Sequence, residues 1–195
     1  MGIIQRDAFR TMIISYIGLV LGYLNKGILF VFILSTDQMG LINLLISIGL
    51  LFAQFASLGV VNTSWKFFPY FRNKERNNYG FLKLVSLIAL IGSLITVVLS
   101  VVFSDFVTSF YQKNSSEFIA YYYWIIPIGI ANVFYLLFEN YLRGLYKNVF
   151  PAFVYDILLR LIVTGLLFAL YFNAISFDQF LIGNSLSFLV PLVLL

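Results

Sequence analysis

Six apolar runs, each near the length of a membrane-crossing helix, divide this chain of 195 residues. A hydrocarbon core of about 30 Å takes roughly 20 helical residues at about 1.5 Å each. Runs at 12–34, 39–61, 81–104, 118–142, 149–172 and 180–195 approach that requirement, bounded by charge, Gly or Asn clusters. They are longer than the roughly 9–11 residues of a barrel strand and lack period-two alternation, so helices are expected. Composition agrees: 62% of residues are hydrophobic and 10% charged, against about 45–50% and about 25% in soluble domains. So few charges cannot clothe a water-facing surface over a core that would have to hide 22 Phe and 13 Tyr. The expected fold class is an all-α integral membrane protein with six transmembrane helices.

Arg6 and Arg10 precede the first run in the manner of a signal sequence. The run is too long for a signal core and lacks a small-x-small cleavage site, so a retained helix is expected. Placing the amino terminus in the cytoplasm puts Arg6, Arg10, Lys66, Arg72, Lys74, Arg76, Lys83, Arg143 and Lys147 on that side, and only Lys113 outside. The outer connections carry Asp37, Asp105, Glu117 and Asp178. This contrast follows the positive-inside rule in every loop, so the net charge of +4 marks orientation and not nucleic-acid binding. Aromatic residues mark the same two interfaces: Tyr121 to Trp124 outside, and Trp65, Phe67, Phe68, Tyr70 and Phe71 inside. The sixth run barely crosses and no polar residues follow it, which reads as part of a larger polytopic protein.

Helix faces follow from a turn of about 100° per residue. Thr11, Ser15, Gly18, Gly22, Asn25 and Lys26 share one face of the first helix; Asn43, Ser47, Gln54 and Ser57 one face of the second. Tyr121, Asn132, Tyr135, Glu139 and Arg143 align on the fourth, and Asp156, Arg160, Thr164 and Tyr171 on the fifth. On the third, Ser86, Ala89, Ser93 and Ser100 form a stripe that close helix packing explains, and Gly18-x-x-x-Gly22 reads the same way. Amides and ions exceed what packing requires.

Lys26 lies roughly 22 Å from one surface and roughly 13 Å from the other, beyond full snorkelling reach, with no acidic residue at i±3 or i±4. Arg160 lies near mid-membrane. Each buried cation costs about 2.5–3.5 kcal/mol on insertion, so both are expected to line a water-filled interior. Asp156 is spaced to pair with Arg160 at i,i+4, and Glu139 with Arg143 nearer the inner surface.

The chain has no Cys and no His, its acids are dispersed, and no Gly-rich phosphate loop occurs. Neither a nucleophile–base pair nor a metal cluster is apparent, so no enzyme and no cofactor is expected. A cationic polar cavity in an apolar bundle suits transport of an anionic solute or headgroup.

Particular segments narrow that class. Leu34-Ser35-Thr36-Asp37-Gln38-Met39-Gly40, then Ala56-Ser57-Leu58-Gly59-Val60 with Lys66 and Phe68-Pro69-Tyr70-Phe71-Arg72-Asn73-Lys74, and finally Tyr141-Leu142-Arg143-Gly144-Leu145 occur in order. This series resembles the Wzx-like polysaccharide and lipid-linked oligosaccharide exporters of the multidrug/oligosaccharidyl-lipid/polysaccharide (MATE-like) superfamily, over residues 2–172. The resemblance implies a flippase of the inner, cytoplasmic membrane, working by alternating access between two six-helix lobes, of which this is the N-terminal one. Its cargo would be an undecaprenyl-pyrophosphate-linked sugar repeat. Implied partners are the bilayer, that lipid-linked oligosaccharide, and a C-terminal lobe or glycan polymerase machinery, with no nucleic acid. Under this reading Lys26 and Arg160 neutralise the pyrophosphate. Asn25, Asn43, Gln54, Asn132 and Tyr135 hydrogen-bond sugar hydroxyls, and Asp156 or Glu139 takes a coupling ion. The alternatives are a multidrug exporter of the same superfamily, which would want an acidic cavity, and a non-transporting scaffold of a glycan-synthesis complex.

Overall fold

The computed structural model describes residues 3–73, 77–111 and 116–195. Lys74, Arg76 and Lys113 of the charge argument lie outside the described residues. Among those described there is no strand. Six helices are long and apolar enough to cross a membrane: Gln5–Ile33, Thr36–Ala56, Asn78–Val102, Glu117–Gly144, Val149–Tyr171 and Phe177–Leu194, here the first to sixth spans. The chain is thus an all-α, multi-pass membrane protein. Its third span turns Leu84, Leu87, Leu94 and Val98 outward, an apolar exterior that only lipid solvates well.

The first span starts about seven residues before the apolar run, because helix geometry continues through the polar stretch that holds Arg6 and Arg10. The second span ends earlier than its hydrophobicity implies. Leu58 and Gly59 adopt left-handed backbone angles (φ 45° and 77°), which stop the helix at Ala56, and the chain restarts as a helix over Val60–Phe71. Residues 62–71, expected as a basic loop, are therefore helical. The spacing explains why: Val60, Val61, Ser64 and Phe68 recur every three to four residues and are buried. Phe68 packs edge-on to Tyr141 (5.1 Å between ring centroids) and tilted against Phe81 (5.6 Å). Asn140 Nδ2 donates to the Val61 carbonyl at 3.3 Å.

The second and sixth spans begin with the same device. Ser35 Oγ accepts from the Gln38 N–H (3.3 Å) while Gln38 Oε1 accepts from the Ser35 N–H (3.0 Å). Ser176 and Gln179 repeat the reciprocal pair at 3.3 and 2.9 Å. Each is a capping box written Ser-x-Asp-Gln, with the acid in the first turn where the helix dipole favours it.

Packing divides into three regions. Phe52, Ala56, Val61, Phe68, Phe81, Val85, Ala89, Val133 and Leu137 join the second, third and fourth spans. Buried Ser93 and close-fitting Gly92, which faces the Ala56 carbonyl, place the small-residue stripe of the third span against the second, as packing predicts. Leu41, Leu45, Phe118, Tyr122, Ile128 and Leu181 form a second region, where Tyr121 also donates a hydrogen bond to Asp178. Phe30, Leu34, Ile42, Leu167 and Phe180 tie the first and second spans to the fifth and sixth.

Two of the six spans contain wide π-helical turns: Leu24–Leu29 in the first and Phe153–Leu158 in the fifth. Such turns are uncommon and concentrate at functional positions.

Candidate functional site

The first and fifth spans run side by side and in parallel, joined by their polar faces. Ser15 Oγ donates to Asp156 Oδ2 at 2.8 Å. Gly18 leaves room for Asp156, whose Cβ would stand 2.7 Å from an added Gly18 Cβ. Arg160 Nη1 donates to the Gly18 carbonyl oxygen, and its guanidinium rests on Gly22. Asn25 Nδ2 then donates to the Arg160 carbonyl at 2.8 Å, and Thr164 Oγ1 donates to Asn25 Oδ1 at 2.8 Å. Small residues at three- to four-residue spacing let the backbones approach, and the polar groups satisfy one another across the seam.

Both π turns fall in this seam: Asn25 and Lys26 lie in one, Tyr155 and Asp156 in the other. Adjacent residues on a helix point about 100° apart. Asn25 is accordingly buried against the fifth span, while Lys26 is exposed on the other side and reaches Asn43 of the second span (Nζ to Oδ1, 3.4 Å).

Between the first, second, fifth and sixth spans opens a cleft of about 640 Å³. Lys26 and Arg160 both line it, with Asp156, Asn25, Ser15, Tyr155 and Asn184 as the other polar groups and Leu19, Phe30, Ile46, Leu50 and Phe188 among the apolar ones. Two cations face one acid. Arg160 Nη2 stands 4.0 Å from Asp156 Oδ1, the i,i+4 relation expected from spacing. A second cleft of about 630 Å³ continues toward the end that holds the amino terminus, lined by Thr11, Ser15, Tyr135, Glu139, Arg143, Asn148, Tyr155 and Asp156. Ser15, Tyr155 and Asp156 therefore border both. Glu139 and Arg143 form an ion pair at 3.0 Å in the second cleft.

The structure gathers Lys26, Arg160, Asn25 and Asp156 in the first cleft and places Tyr135 and Glu139 in the second. Tyr135 stacks on Tyr155 (centroids 4.6 Å apart, planes at 19°) and donates to the Pro151 carbonyl at 3.2 Å. Asn43 stands beside the first cleft as the partner of Lys26. Gln54 is exposed further along the second span and lines neither cleft. Asn132 also lines neither: it is buried, with Nδ2 donating to the Ile128 carbonyl (2.8 Å) and Oδ1 accepting from the Tyr155 hydroxyl (3.4 Å). Its polarity is consumed inside the bundle.

Sequence reasoning missed Tyr155 and Asn184. Asn184 is the eighth residue after Ser176, as Asn43 is the eighth after Ser35; comparing the two Ser-x-Asp-Gln segments would have located it.

No family model, curated protein or solved structure matches the chain.

Proposed function

We propose that this chain is the N-terminal lobe of a flippase for lipid-linked oligosaccharides, held in the cytoplasmic membrane with its amino terminus in the cytoplasm. The observation that carries the reading is the placement of Lys26 and Arg160, both within membrane-spanning helices, on one cleft of about 640 Å³. Cations far from water need compensating charge, and a single carboxylate, Asp156, leaves the cleft net positive. A diphosphate attached to a lipid supplies that charge while its tail stays in the hydrocarbon. The same balance disfavours a cavity for cationic drugs.

In this orientation the second cleft faces the cytoplasm and Arg143 meets the incoming head. The head then passes Ser15 and Asp156, which border both clefts, to reach Lys26 and Arg160. Asp156 is the acid suited to exchange its arginine for a coupling ion as phosphate arrives, because its contact with Arg160 is long at 4.0 Å. Glu139 is held more closely by Arg143. Asn43 offers its amide to the sugar beside Lys26, while Asn25 orients the seam.

The test is a chromosomal Lys26→Ala allele. Surface glycan is expected to be lost with protein abundance unchanged; undiminished surface glycan at equal abundance overturns the reading, and harmless Lys26→Gln and Arg160→Gln alleles would favour a scaffold.

A further inference from the structure

Asn184 is 4% exposed, and its side-chain amide has no hydrogen-bond partner among the described residues. That sets it apart from the other buried asparagines of the bundle interior. Asn25 is bonded through both ends of its amide and Asn132 likewise. The buried side-chain atom left without a partner among the described residues is Asn148 Oδ1; the Asn184 amide is therefore not sealed off, and its donor and acceptor stay accessible. Asn184 lines the cleft that holds Lys26 and Arg160, so the direction in which its hydrogen-bonding capacity remains open is the cleft itself.

The position is built rather than incidental. The capping box at Ser176 fixes where the sixth span begins, and Asn184 follows two turns later on a rigid helix. The equivalent residue of the second span, Asn43, meets Lys26. Lys26 of the first span, Arg160 of the fifth and Asn184 of the sixth thus present one polar group each to a common volume. Two of these are cations that attract an anion. The third can donate through Nδ2 and accept through Oδ1, a combination suited to a group carrying both phosphate oxygens and hydroxyls.

We infer that Asn184 hydrogen-bonds the phosphorylated head of the ligand in this cleft and selects for it beyond charge alone. This rests on the flippase reading. An amide held in place by packing loses little freedom on binding, and it distinguishes a head with suitably placed acceptors from a simple anion.

The experiment measures binding of farnesyl diphosphate, and of farnesol as its uncharged counterpart, to the purified full chain in detergent. Asn184→Leu is expected to weaken farnesyl diphosphate binding about tenfold, to leave farnesol binding unchanged, and to melt no lower than wild type because the amide makes no hydrogen bond within the fold. Asn184→Asp is expected to bind the diphosphate more weakly still, its carboxylate facing the anion. Wild-type affinity in Asn184→Leu, or equal weakening for farnesol, overturns the assignment. If Asn184→Leu melts lower, Asn184→Gln decides: its retained amide restores part of the diphosphate affinity, and no restoration overturns the assignment. Loss of diphosphate binding in Lys26→Ala with Asn184→Leu unaffected defeats the Asn184 role alone. A wild-type protein that binds farnesyl diphosphate no better than farnesol defeats the flippase reading and this inference with it.

Discussion

The side-chain amide of Asn25 donates to the main-chain carbonyl of Arg160 at 2.8 Å while accepting from Thr164 at 2.8 Å. One asparagine therefore fixes the π turn of the first span to the fifth and, by doing so, sends its neighbour Lys26 the other way. Replacing Asn25 with Leu removes two interhelical bonds, each worth about 0.6 kcal/mol on average within a membrane. The protein should lose about 1–2 kcal/mol of stability, read as a lower melting temperature in detergent, and affinity for anionic lipid should fall because Lys26 is no longer oriented.

The contact between the first and fifth spans depends on small residues. A Cβ at Gly18 would lie 2.7 Å from both Asp156 Cβ and its carbonyl oxygen, and one at Gly22 would strike the Arg160 guanidinium. Neither Asp156 Cβ nor the backbone can yield without parting the helices. Gly18→Ala should cost about 1–3 kcal/mol by overpacking. Gly165→Ala, with no atom within 4 Å of the added carbon, should be neutral or stabilise by up to about 1 kcal/mol through helix propensity. Parallel melting curves separate the two; equal losses would show that the seam tolerates expansion.

Much of this architecture was legible in the sequence because hydrophobic length is a direct consequence of bilayer thickness. All six spans were found, and the close-packing role of Gly18, Gly22 and Ser93 followed from their spacing. Lys26, Arg160, Asn25 and Asp156 come together as expected from their faces, but Lys26 turns away from Asn25 to the other side of the first helix, and Tyr171 of the fifth is exposed and lines neither cleft. The misplaced elements have particular causes. The break at Leu58 and Gly59 is a backbone event inside an apolar run, which hydropathy does not register. A periodic polar stripe cannot reveal whether its partner is another side chain or a cavity; Asn132 and Gln54 share such stripes, yet one is bonded within the core and the other faces outward. Asn184 sits in the sixth helix, where no stripe signals it.

Lys26 and Arg160 line the same cleft but differ in what else depends on them. Lys26 is exposed and donates a hydrogen bond to Asn43 at 3.4 Å. Lys26→Ala should change stability by no more than about 0.5 kcal/mol while removing one of the two charges that attract a phosphate. Arg160 also bonds the Gly18 carbonyl, packs on Gly22 and faces Asp156. Arg160→Ala should therefore lose about 2 kcal/mol as well as anion affinity. Measuring melting temperature and farnesyl diphosphate affinity on each variant tests the division; a large loss of stability in Lys26→Ala would mean that the lysine serves the fold.

The interruption of the second span allows a test of backbone conformation free of steric crowding. Gly59 and Gly40 both have open space where a Cβ would be placed, with no atom within 4 Å of either. Only Gly59 has a positive φ, at 77°, where an L side chain meets its own backbone at a cost of about 1–2 kcal/mol. Gly59→Ala should therefore destabilise by about 1 kcal/mol or more, while Gly40→Ala, in the second turn of a regular helix, should be neutral or mildly stabilising by up to about 1 kcal/mol. The break also separates the packing of Ala56 on Gly92 from that of Phe68 on Tyr141 and Phe81, so straightening it would pull Phe68 from its pocket beside Gly144. Gly59→Ala should accordingly raise protease sensitivity within residues 57–72 before the protein melts. Equal stability and equal cleavage of the two variants would show that the helix does not need its left-handed residue.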